Sequence, residues 1–453
     1  MSLKIRRFLY IFFIIIFIIT TPLLCLYATG YKIGSNFSIK KTGILILDTK
    51  PKGAKIYING KLQNNFFKKY FTKKNSQITT PAKIKNILPG NYDIRIEYQG
   101  YLPWKKKLKI NSGQSTFAEN IYLFKKNIPL SIINKKFNNI KISNNKKYLV
   151  AINKKENILI NLNKNNIINY ITATSSDLIA TSSDLIWSSN DKKIIINNLI
   201  FNINDWQNPI ILNNIIGKNI KIIKWSDSSD DKILYKIKNS LHIFDLSSGE
   251  DKILFFGKNF SDYIQKNNLL YIASQSNLGS NLIILNIDDN KILKNIKLPN
   301  SLYSFINKNH KLINLYDNKY KILYLIDPFS YIKSLHETIN NIKQAYWIND
   351  SYLIYANDFE IWTIDINNYN RKLLTRLSQK INKIIWHNNN NYIIYSTDKE
   401  INVIELDSRE KHNITKLAEY NSIQNLSLSS DGNILYFYSK IENQNGIYKL
   451  IIQ

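Results

Sequence analysis

Residues 220–256 read IKIIKWSDSSDDKILYKIKNSLHIFDLSSGEDKILFF, and this stretch decides the fold. Short apolar runs alternate here with polar segments that contain Asp, Ser and Gly, a pattern typical of strands joined by tight turns. The predicted strands are Ile220–Trp225, Ile233–Ile237, Leu241–Leu246 and Ile253–Phe256. The stretch therefore predicts one small unit of four consecutive strands.

The same unit recurs along residues 137–453, and in each copy a large apolar residue ends the first strand. These positions are Ile142, Trp187, Trp225, Ile264, Ile306, Trp347, Trp386 and Leu428, and they lie 38 to 45 residues apart. The longest interval contains a tandem duplication of seven residues, 173–179 repeated at 180–186, and it shortens to 38 without them. Four-stranded repeats of this length predict a β-propeller of eight blades, or of seven with one irregular module.

The turn after the first strand resembles the TolB-type propeller repeat. Residues Trp187–Ile194 read WSSNDKKI, against Trp-Ser-Pro-Asp-Gly-Lys-x-Ile in that family, and Leu428–Gly432 keep the Asp-Gly pair. The large apolar residue is expected to fill the gap between neighbouring blades, and Asn, Asp or Gly is expected to form the hairpin. The resemblance covers the repeat region but is degenerate, and it implies a fold more than a function.

The last module contains fewer predicted strands than the others, at 423–428, 434–438 and 447–452. The apolar segment Ile128–Ile133 lies before the first module and belongs to no predicted blade. We therefore expect this segment to supply the fourth strand of the last blade. Such pairing would close the ring and cover the open edges of the terminal blades.

Residues 1–30 predict a helix that spans a membrane. Lys4, Arg6 and Arg7 precede an apolar run from Phe8 to Ala28, and about 20 such residues cross a bilayer as a helix. The basic flank places the N-terminus in the cytoplasm and the bulk of the chain outside it. We predict an uncleaved, single-pass anchor in the cell membrane. A cleaved secretory signal is the alternative, although the apolar run is longer than is usual for one.

Residues 42–124, joined to the helix by a linker at 31–41, predict a small all-β domain. Asn59-Gly60 is a strong hairpin signal because both residues tolerate a positive φ. The segment resembles a PEGA domain through Thr42-Gly43, Pro51–Ala54, Tyr57–Gly60, Thr80-Pro81, Leu88–Tyr92, Gly100-Tyr101 and Trp104. Lys52 replaces the Glu of the family's name, and Leu62–Gln77 is a longer insertion. The resemblance implies an extracytoplasmic β-sandwich of a cell-surface protein, without catalytic residues.

The predicted fold class is thus all-β after one N-terminal transmembrane helix, with a PEGA-like β-sandwich followed by a β-propeller over residues 127–453.

Positive charge is concentrated near the helix. The chain carries a net charge of +29, and residues 31–126, with 20 basic and four acidic side chains, account for +16 of it. Cationic surfaces with aromatic neighbours attract anionic ligands. The predicted binding residues are Lys68, Lys69, Lys73, Lys74, Tyr101, Trp104, Lys105, Lys106 and Lys107.

An extracytoplasmic location makes anionic cell-wall polymer or lipid head groups the expected partners of these residues, and makes nucleic acid an unexpected one. The alternative explanation is compositional, because an AT-rich genome enriches the whole chain in Lys, Asn and Ile. Composition by itself does not explain why acidic residues are scarce in 31–126.

The sequence contains no recognisable catalytic, cofactor-binding or metal-binding motif. The histidines, which are His242, His310, His336, His387 and His412, lie in different modules and lack the i, i+4 spacing of a metal pair. The single cysteine, Cys25, lies in the apolar run, so a disulfide framework is excluded. We predict a non-enzymatic envelope protein whose sandwich binds anionic wall polymer, glycan or lipid and whose propeller binds a protein or glycan. The alternative is a glycan hydrolase with carboxylates in the propeller channel.

Overall fold

The structure is a computed structural model that describes residues 3–33, 38–65, 77–153, 156–164, 166–172, 185–217, 220–227, 229–257, 259–276, 279–306, 310–389 and 391–453. The chain divides into two compact units. Unit one contains Met1–Asn127, Glu405–Leu417 and Ile452–Gln453, and unit two contains Ile128–Ile404 and Ala418–Ile451. After the N-terminal helix the secondary structure is almost entirely strand, as the sequence predicts.

Unit one begins with helix α1, Leu3–Ala28, which contains the predicted apolar run. The span Ile5–Ala28 has a mean hydropathy of 2.7, and its side chains are exposed. A helix of 24 residues is about 36 Å long, which exceeds the ~30 Å hydrocarbon core of a bilayer. Helix α1 is therefore long and apolar enough to cross a membrane, as either an anchor or a signal sequence.

The other described strands of unit one form a hairpin and a β-sandwich. The hairpin pairs β1 (Tyr31–Ile33) with β2 (Ile39–Lys41). One sheet of the sandwich has the order β6-β3-β9, with β3 and β9 parallel, and the other has the order β5-β4-β7-β8. The bounds are β3 Gly43–Lys50, β4 Lys55–Ile58, β5 Lys61–Leu62, β6 Ala82–Ile87, β7 Gly90–Glu97, β8 Trp104–Ile110 and β9 Ser115–Tyr122.

Apolar residues from both sheets meet in the core of the sandwich. Every second side chain of β3 and of β8 is buried, which is the period of a strand. Leu45, Ile56 and Leu108 are inaccessible to solvent in this core. The predicted hairpin turn is confirmed, because Asn59 and Gly60 have positive φ angles of 47° and 76°.

Unit two is a β-propeller, and the described residues form eight four-stranded antiparallel blades. Blade seven also contains residues of the segment Glu405–Leu417, which the division above assigns to unit one. In blades one to seven the four strands are consecutive in the chain. Blade one is β11 Asn139–Ile142, β12 Tyr148–Ile152, β13 Glu156–Asn161 and β14 Asn166–Thr172. Blade two is β15 Leu185–Trp187, β16 Lys193–Ile196, β17 Leu199–Asn202 and β18 Asp205–Ile211, followed by the short helix α2, Leu212–Ile216.

The next five blades repeat this arrangement. Blade three is β19 Ile220–Trp225, β20 Lys232–Ile237, β21 Ser240–Asp245 and β22 Asp251–Phe256. Blade four is β23 Phe260–Lys266, β24 Leu269–Ser276, β25 Gly279–Asn286 and β26 Ile292–Leu298. Blade five is β27 Tyr303–Phe305, β28 Ile313–Asp317, β29 Ile322–Ile326 and β30 Leu335–Ile339. Blade six is β31 Gln344–Trp347, β32 Tyr352–Ala356, β33 Glu360–Asp365 and β34 Asn370–Arg376. Blade seven is β35 Lys383–Trp386, β36 Tyr392–Ser396, β37 Glu400–Glu405 and β38 Ile414–Glu419.

Blade eight is closed by a strand from the beginning of the propeller, as the sequence predicts. It has the order β10-β41-β40-β39, with β10 Leu130–Ile133, β39 Ile423–Leu428, β40 Ile434–Ile441 and β41 Gln444–Ile451. Ile133, Tyr436 and Ile447 of this blade pack in one buried cluster with Ile140 and Leu149 of blade one. The ring is therefore closed by hydrogen bonds within blade eight and by apolar packing against blade one.

The predicted spacer residues lie between blades. Trp187 of blade two is buried in one cluster with Val150 and Leu159 of blade one. Trp225 of blade three donates its indole N–H to Ile186 O of blade two at 2.9 Å. For Trp187 and Trp225 the structure therefore confirms that a large residue at the end of the first strand packs between adjacent blades, here against the preceding one. Residues 173–184 of the tandem duplication lie outside the described residues.

The polar turns also join neighbouring blades. Asp191 lies in the first hairpin of blade two, is buried, and accepts hydrogen bonds from the backbone N–H groups of Asn144 and Asn145 at 2.8 and 2.6 Å. It also accepts one from Asn144 Nδ2 at 2.9 Å. The Asn and Asp residues that the sequence assigns to hairpin formation thus also hold the hairpin of the preceding blade.

Asp191→Ala is expected to lower the free energy of unfolding of the propeller by about 1–3 kcal/mol, because it removes the acceptor of two part-buried backbone N–H groups. Denaturant unfolding measures this change. Asp289→Ala is the matched control, because Asp289 is exposed and accepts one turn hydrogen bond from Lys291 N. Equal effects of the two substitutions would contradict the role of Asp191 in joining the blades.

Candidate functional site

The outer face of the four-stranded sheet of unit one is polar and mainly basic. In β8 the exposed residues Lys105, Lys107 and Lys109 alternate with buried ones. Lys105 lies opposite Arg95 of β7, and Lys107 lies opposite Asp93, with 3.8 Å between their charged atoms. Lys105 and Lys107 are therefore available at the surface that the sequence predicts. The predicted residues Lys68, Lys69, Lys73 and Lys74 lie outside the described residues.

Two predicted binding residues, Trp104 and Lys106, face the interior of unit one instead. Glu405, which belongs to the same unit, accepts hydrogen bonds from Trp104 Nε1 at 3.1 Å and from Lys106 Nζ at 3.3 Å. Lys106 Nζ also donates to Asp407 O at 2.7 Å. The side chains of Lys106 and Glu405 are only 2% and 8% exposed. The exposed cationic surface therefore does not include Trp104 and Lys106, because both are buried against a carboxylate.

Burial on one side, and hydrogen bonds and the Lys106 charge on the other, have opposite effects on the pKa values of Glu405 and Asp407. Burial raises the pKa of Glu405, and the Lys106 charge and the Trp104 hydrogen bond oppose that rise. Burial acts in the same direction on Asp407, but hydrogen bonds from Arg409 and the charge of Lys106 hold the pKa of Asp407 below its usual value. The Lys106 ammonium is thus compensated internally and is not a surface charge.

A cleft of about 780 Å³ opens on unit one beside this basic face. Its walls include Lys55, Tyr57, Glu97, Tyr98, Gln99 and Tyr101, and we call it the tyrosine cleft. Strand pairing places Lys55 opposite Glu97 and Tyr57 opposite Arg95. The Arg95 guanidinium lies 4.2 Å from the centroid of the Tyr57 ring and 3.0 Å from Glu97 Oε1.

A tight turn presents the two other tyrosines of the cleft. Tyr101 N donates to Tyr98 O at 3.1 Å, and Gly100 between them has a φ of 80°, which favours glycine. The rings of Tyr98 and Tyr101 meet edge to face, with 5.3 Å between their centroids. Burial, and then the neighbouring Tyr98, raise the pKa of Tyr101, so its hydroxyl keeps its proton at neutral pH. The predicted binding residue Tyr101 therefore lies in an aromatic cleft.

The turn that resembles the PEGA motif forms another wall of the tyrosine cleft through Gly53. Thr80 holds this turn, because Thr80 O accepts from Gly53 N at 2.6 Å and Thr80 Oγ accepts from Ala54 N at 3.1 Å. Thr80 Oγ also lies 2.5 Å from Thr49 Oγ. Segments that carry the resemblance, around Gly53, Tyr57 and Tyr101, thus converge on one cleft.

Two histidines of unit two join blades in their neutral form. His310 Nδ1 accepts from Leu312 N at 3.0 Å, and its Nε2 donates to Asp350 O of blade six at 3.2 Å. His387 Nδ1 accepts from Asn389 N at 3.3 Å, and its Nε2 donates to Gly432 O of blade eight at 3.1 Å. Protonation at Nδ1 would replace an acceptor by a donor.

The propeller is expected to lose stability as the pH falls below about 6.5, the usual pKa of histidine. Burial lowers the pKa of His310 and His387 in the folded state, so the unfolded chain binds protons more readily. The contribution of these groups is complete above pH 6.5 and is lost as the pH falls towards the lowered value. Urea unfolding at pH 7.5 and 5.5 measures it.

The double variant His310→Asn/His387→Asn should lose less stability over this interval, because Asn keeps a donor and an acceptor but does not titrate. His336→Asn, outside these hairpins, serves as the control. An identical pH dependence of the double variant and the wild-type protein would show that other groups cause it.

A Ser-His-Asp arrangement lies within blade three. Ser240 Oγ lies 2.8 Å from His242 Nε2, and His242 Nδ1 lies 3.1 Å from Asp251 Oδ2. Ser240 is buried, and its hydroxyl also lies 3.0 Å from Ile237 O, while Tyr235 donates to Asp251 at 2.8 Å. These bonds connect β20, β21 and β22, so they stabilise the blade. Within the described part of the chain, no group of three or more His, Cys, Asp or Glu could hold a metal ion.

The closed ring of four-stranded blades places unit two among the β-propeller proteins. Solved structures agree: a crystal structure of a eukaryotic initiation factor is 13% identical with a TM-score of 0.50, covering 70% of this chain and 86% of that one. The structure of the Dos1 propeller is 14% identical with a TM-score of 0.50, covering 73% of this chain and 96% of that one. No protein-family model and no curated protein matches the chain. At these identities the likeness concerns the fold alone, and the PEGA-like and TolB-like resemblances stay predictions.

Proposed function

We propose that this protein is a non-enzymatic binding and scaffold protein, anchored to a membrane by α1 and displayed outside the cytoplasm. The observation that carries the proposal is the closed propeller in the same chain as an apolar helix of membrane-spanning length, with no buried residue in its span Ile5–Ala28. A rigid propeller presents many loops around its ring for binding partners. In the proposal, the β-sandwich of unit one is a PEGA-like module that follows the anchor in the chain.

The orientation follows from charge. Arg6 and Arg7 lie at the N-terminal end of α1, and basic residues next to a membrane span favour the cytoplasmic side. Protease added to intact cells should therefore digest the propeller and spare an epitope tag at the N-terminus. A cytoplasmic reporter protein is the control for cell integrity. A protected propeller, or a mature protein that begins near Thr29, would contradict the anchored topology.

The basic face of unit one is proposed to hold anionic material, namely cell-wall polymer or lipid head groups that carry phosphate or carboxylate. Lys105 and Lys107 are exposed on this face, and residues 31–126 carry a charge of +16. Solvated charges attract over a distance that shrinks with ionic strength. Binding should therefore be strong at low salt and weaken steadily as salt is added.

Co-sedimentation of the full-length protein in nanodiscs with isolated cell wall, over a salt series, tests this binding. Flotation of the same particles with anionic and with neutral vesicles distinguishes lipid from polymer. Lys105→Glu/Lys107→Glu should reduce binding to the anionic material. Lys291→Glu/Lys311→Glu changes the net charge equally at exposed lysines of unit two and should have a smaller effect. Binding that is absent at low salt, or does not depend on salt, would refute the proposal.

A further inference from the structure

The tyrosine cleft has the chemistry of a site for a polyhydroxylated ligand. Tyr57, Tyr98 and Tyr101 supply aromatic surfaces, and Lys55, Glu97 and Gln99 supply donors and acceptors around them. The face of an aromatic ring is electron-rich and attracts polarised C–H groups. A sugar ring presents such C–H groups on its faces and hydroxyl groups at its edge. Both parts of a sugar therefore have complementary partners in the cleft.

The charges of the cleft distinguish it from the basic face. Lys55 lies opposite the carboxylate of Glu97 in the strand register. Arg95 is engaged by Glu97 Oε1 at 3.0 Å and by the ring of Tyr57. A phosphate or carboxylate is best bound by a guanidinium that is free to form two parallel hydrogen bonds. The engaged cation and the nearby carboxylate therefore favour neutral hydroxyl groups over an anion.

The conformation of the cleft is fixed by its backbone rather than by the ligand. The turn from Tyr98 to Tyr101 has its own hydrogen bond, and Thr80 fixes the turn at Gly53. The Tyr98 side of the cleft remains accessible, since Tyr98 is 37% exposed. The cleft has a volume of about 780 Å³ and is partly open to solvent. A preformed site of this kind loses little conformational entropy on binding.

We propose that the tyrosine cleft binds a saccharide chain, with a sugar ring packed on Tyr98 and sugar hydroxyls bonded to Glu97 and Gln99. The inference deepens the proposed function and rests on it in one respect, because an extracytoplasmic location would bring the cleft to cell-surface glycans. In this proposal the tyrosine cleft binds glycans, and the basic face with Lys105 and Lys107 binds anionic ligands.

Full-length protein in nanodiscs, applied to an array of neutral, amino and acidic oligosaccharides, tests the proposal. We expect retention of at least one family of neutral or amino sugars, followed by titration calorimetry with the best-retained oligosaccharide. Tyr98→Ala should weaken that binding about tenfold, a loss of about 1.4 kcal/mol. Gln99→Ala, at an exposed turn position, provides a second variant with little risk to folding. Tyr331→Ala, at a fully exposed tyrosine of unit two, is the matched control and should bind as the wild-type protein does.

Retention of no saccharide by the wild-type protein would overturn the inference, and so would unchanged affinity in both Tyr98→Ala and Gln99→Ala. Lys107→Glu/Lys109→Glu separates this result from the proposed function. That variant should lose binding to anionic cell wall while its affinity for the retained oligosaccharide stays within about twofold, because these lysines lie outside the cleft and opposite Asp93 and Asn91 rather than Arg95. Loss of both activities in this one variant would show that the sugar binds through the basic face.

Discussion

Gly446→Val is expected to open the propeller ring and to lower its free energy of unfolding by at least about 3 kcal/mol. Gly446 lies in β41 of blade eight, where a Cβ atom would lie 2.5 Å from Ile133 O and 3.3 Å from Asn134 Cα. Both contacts involve the backbone of the closing segment, which cannot move aside without losing its pairing with β41. Valine therefore displaces β10 and exposes an unpaired edge.

Chemical denaturation and analytical ultracentrifugation measure this effect together, because an exposed edge strand promotes association between chains. Gln444→Val is the matched control, since it places the same side chain at an exposed position of the same strand. Replacement of residues 128–134 by a Gly-Ser linker of equal length should reproduce the loss of stability. Unchanged unfolding in both the valine and the linker variants would contradict closure by β10.

Asp262→Ala is expected to lower the free energy of unfolding by about 2–4 kcal/mol, because it removes one partner of a partly buried ion pair and the acceptor of a backbone N–H. Asp262 lies in β23 of blade four and pairs with Lys224 of blade three. Its second oxygen accepts from Phe305 N of blade five at 2.8 Å. Lys224 Nζ in turn donates to Tyr263 O at 2.6 Å. One carboxylate thus connects three consecutive blades, and its loss affects two blade interfaces at once.

The double variant Lys224→Met/Asp262→Leu and the single variant Asp262→Asn separate the ion pair from the backbone contact. Lys224→Met/Asp262→Leu should be more stable than Asp262→Ala, because no buried charge is then left without its partner. Asp262→Asn should be intermediate, because an amide oxygen can still accept from Phe305 N. A cost below about 1 kcal/mol for Asp262→Ala would show that the pair adds little to the stability of the propeller.

The repeat was predictable because its signals are local. A short apolar run indicates a strand, and Asn, Asp, Ser or Gly between two such runs indicates a hairpin. Each signal lies within fewer than about ten consecutive residues. Trp187 and Trp225 therefore identify the end of a first strand without any knowledge of their neighbours. The closing strand could also be inferred, since Ile128–Ile133 was an apolar segment without a blade and the last module lacked a strand.

The candidate site was predictable only in part. Side chains alternate between exposed and buried along β8, so Lys105 and Lys107 are exposed and Trp104 and Lys106 are buried. The period of a strand, applied to residues 104–107, would have predicted this division. The partner of Lys106 could not have been found, because Glu405 lies 299 residues away. The same limit applies to the tyrosine cleft, whose rings come from β4 and from a turn after β7. The PEGA-like resemblance includes both segments, but it does not show that their side chains line one cleft.

The sequence by itself determined the kinds of element and their order: an apolar helix, a small β-domain and a propeller whose first and last segments share a blade. The alternation of side chains along a strand and the residue preferences of turns depend on neighbours in the sequence, so they can be recognised in short segments of the chain. Only the tertiary structure decided which charges are solvated, which are paired and which aromatic rings share a cleft. Those properties depend on desolvation and on contacts between residues distant in sequence, and folding alone brings such residues within a few ångströms of each other.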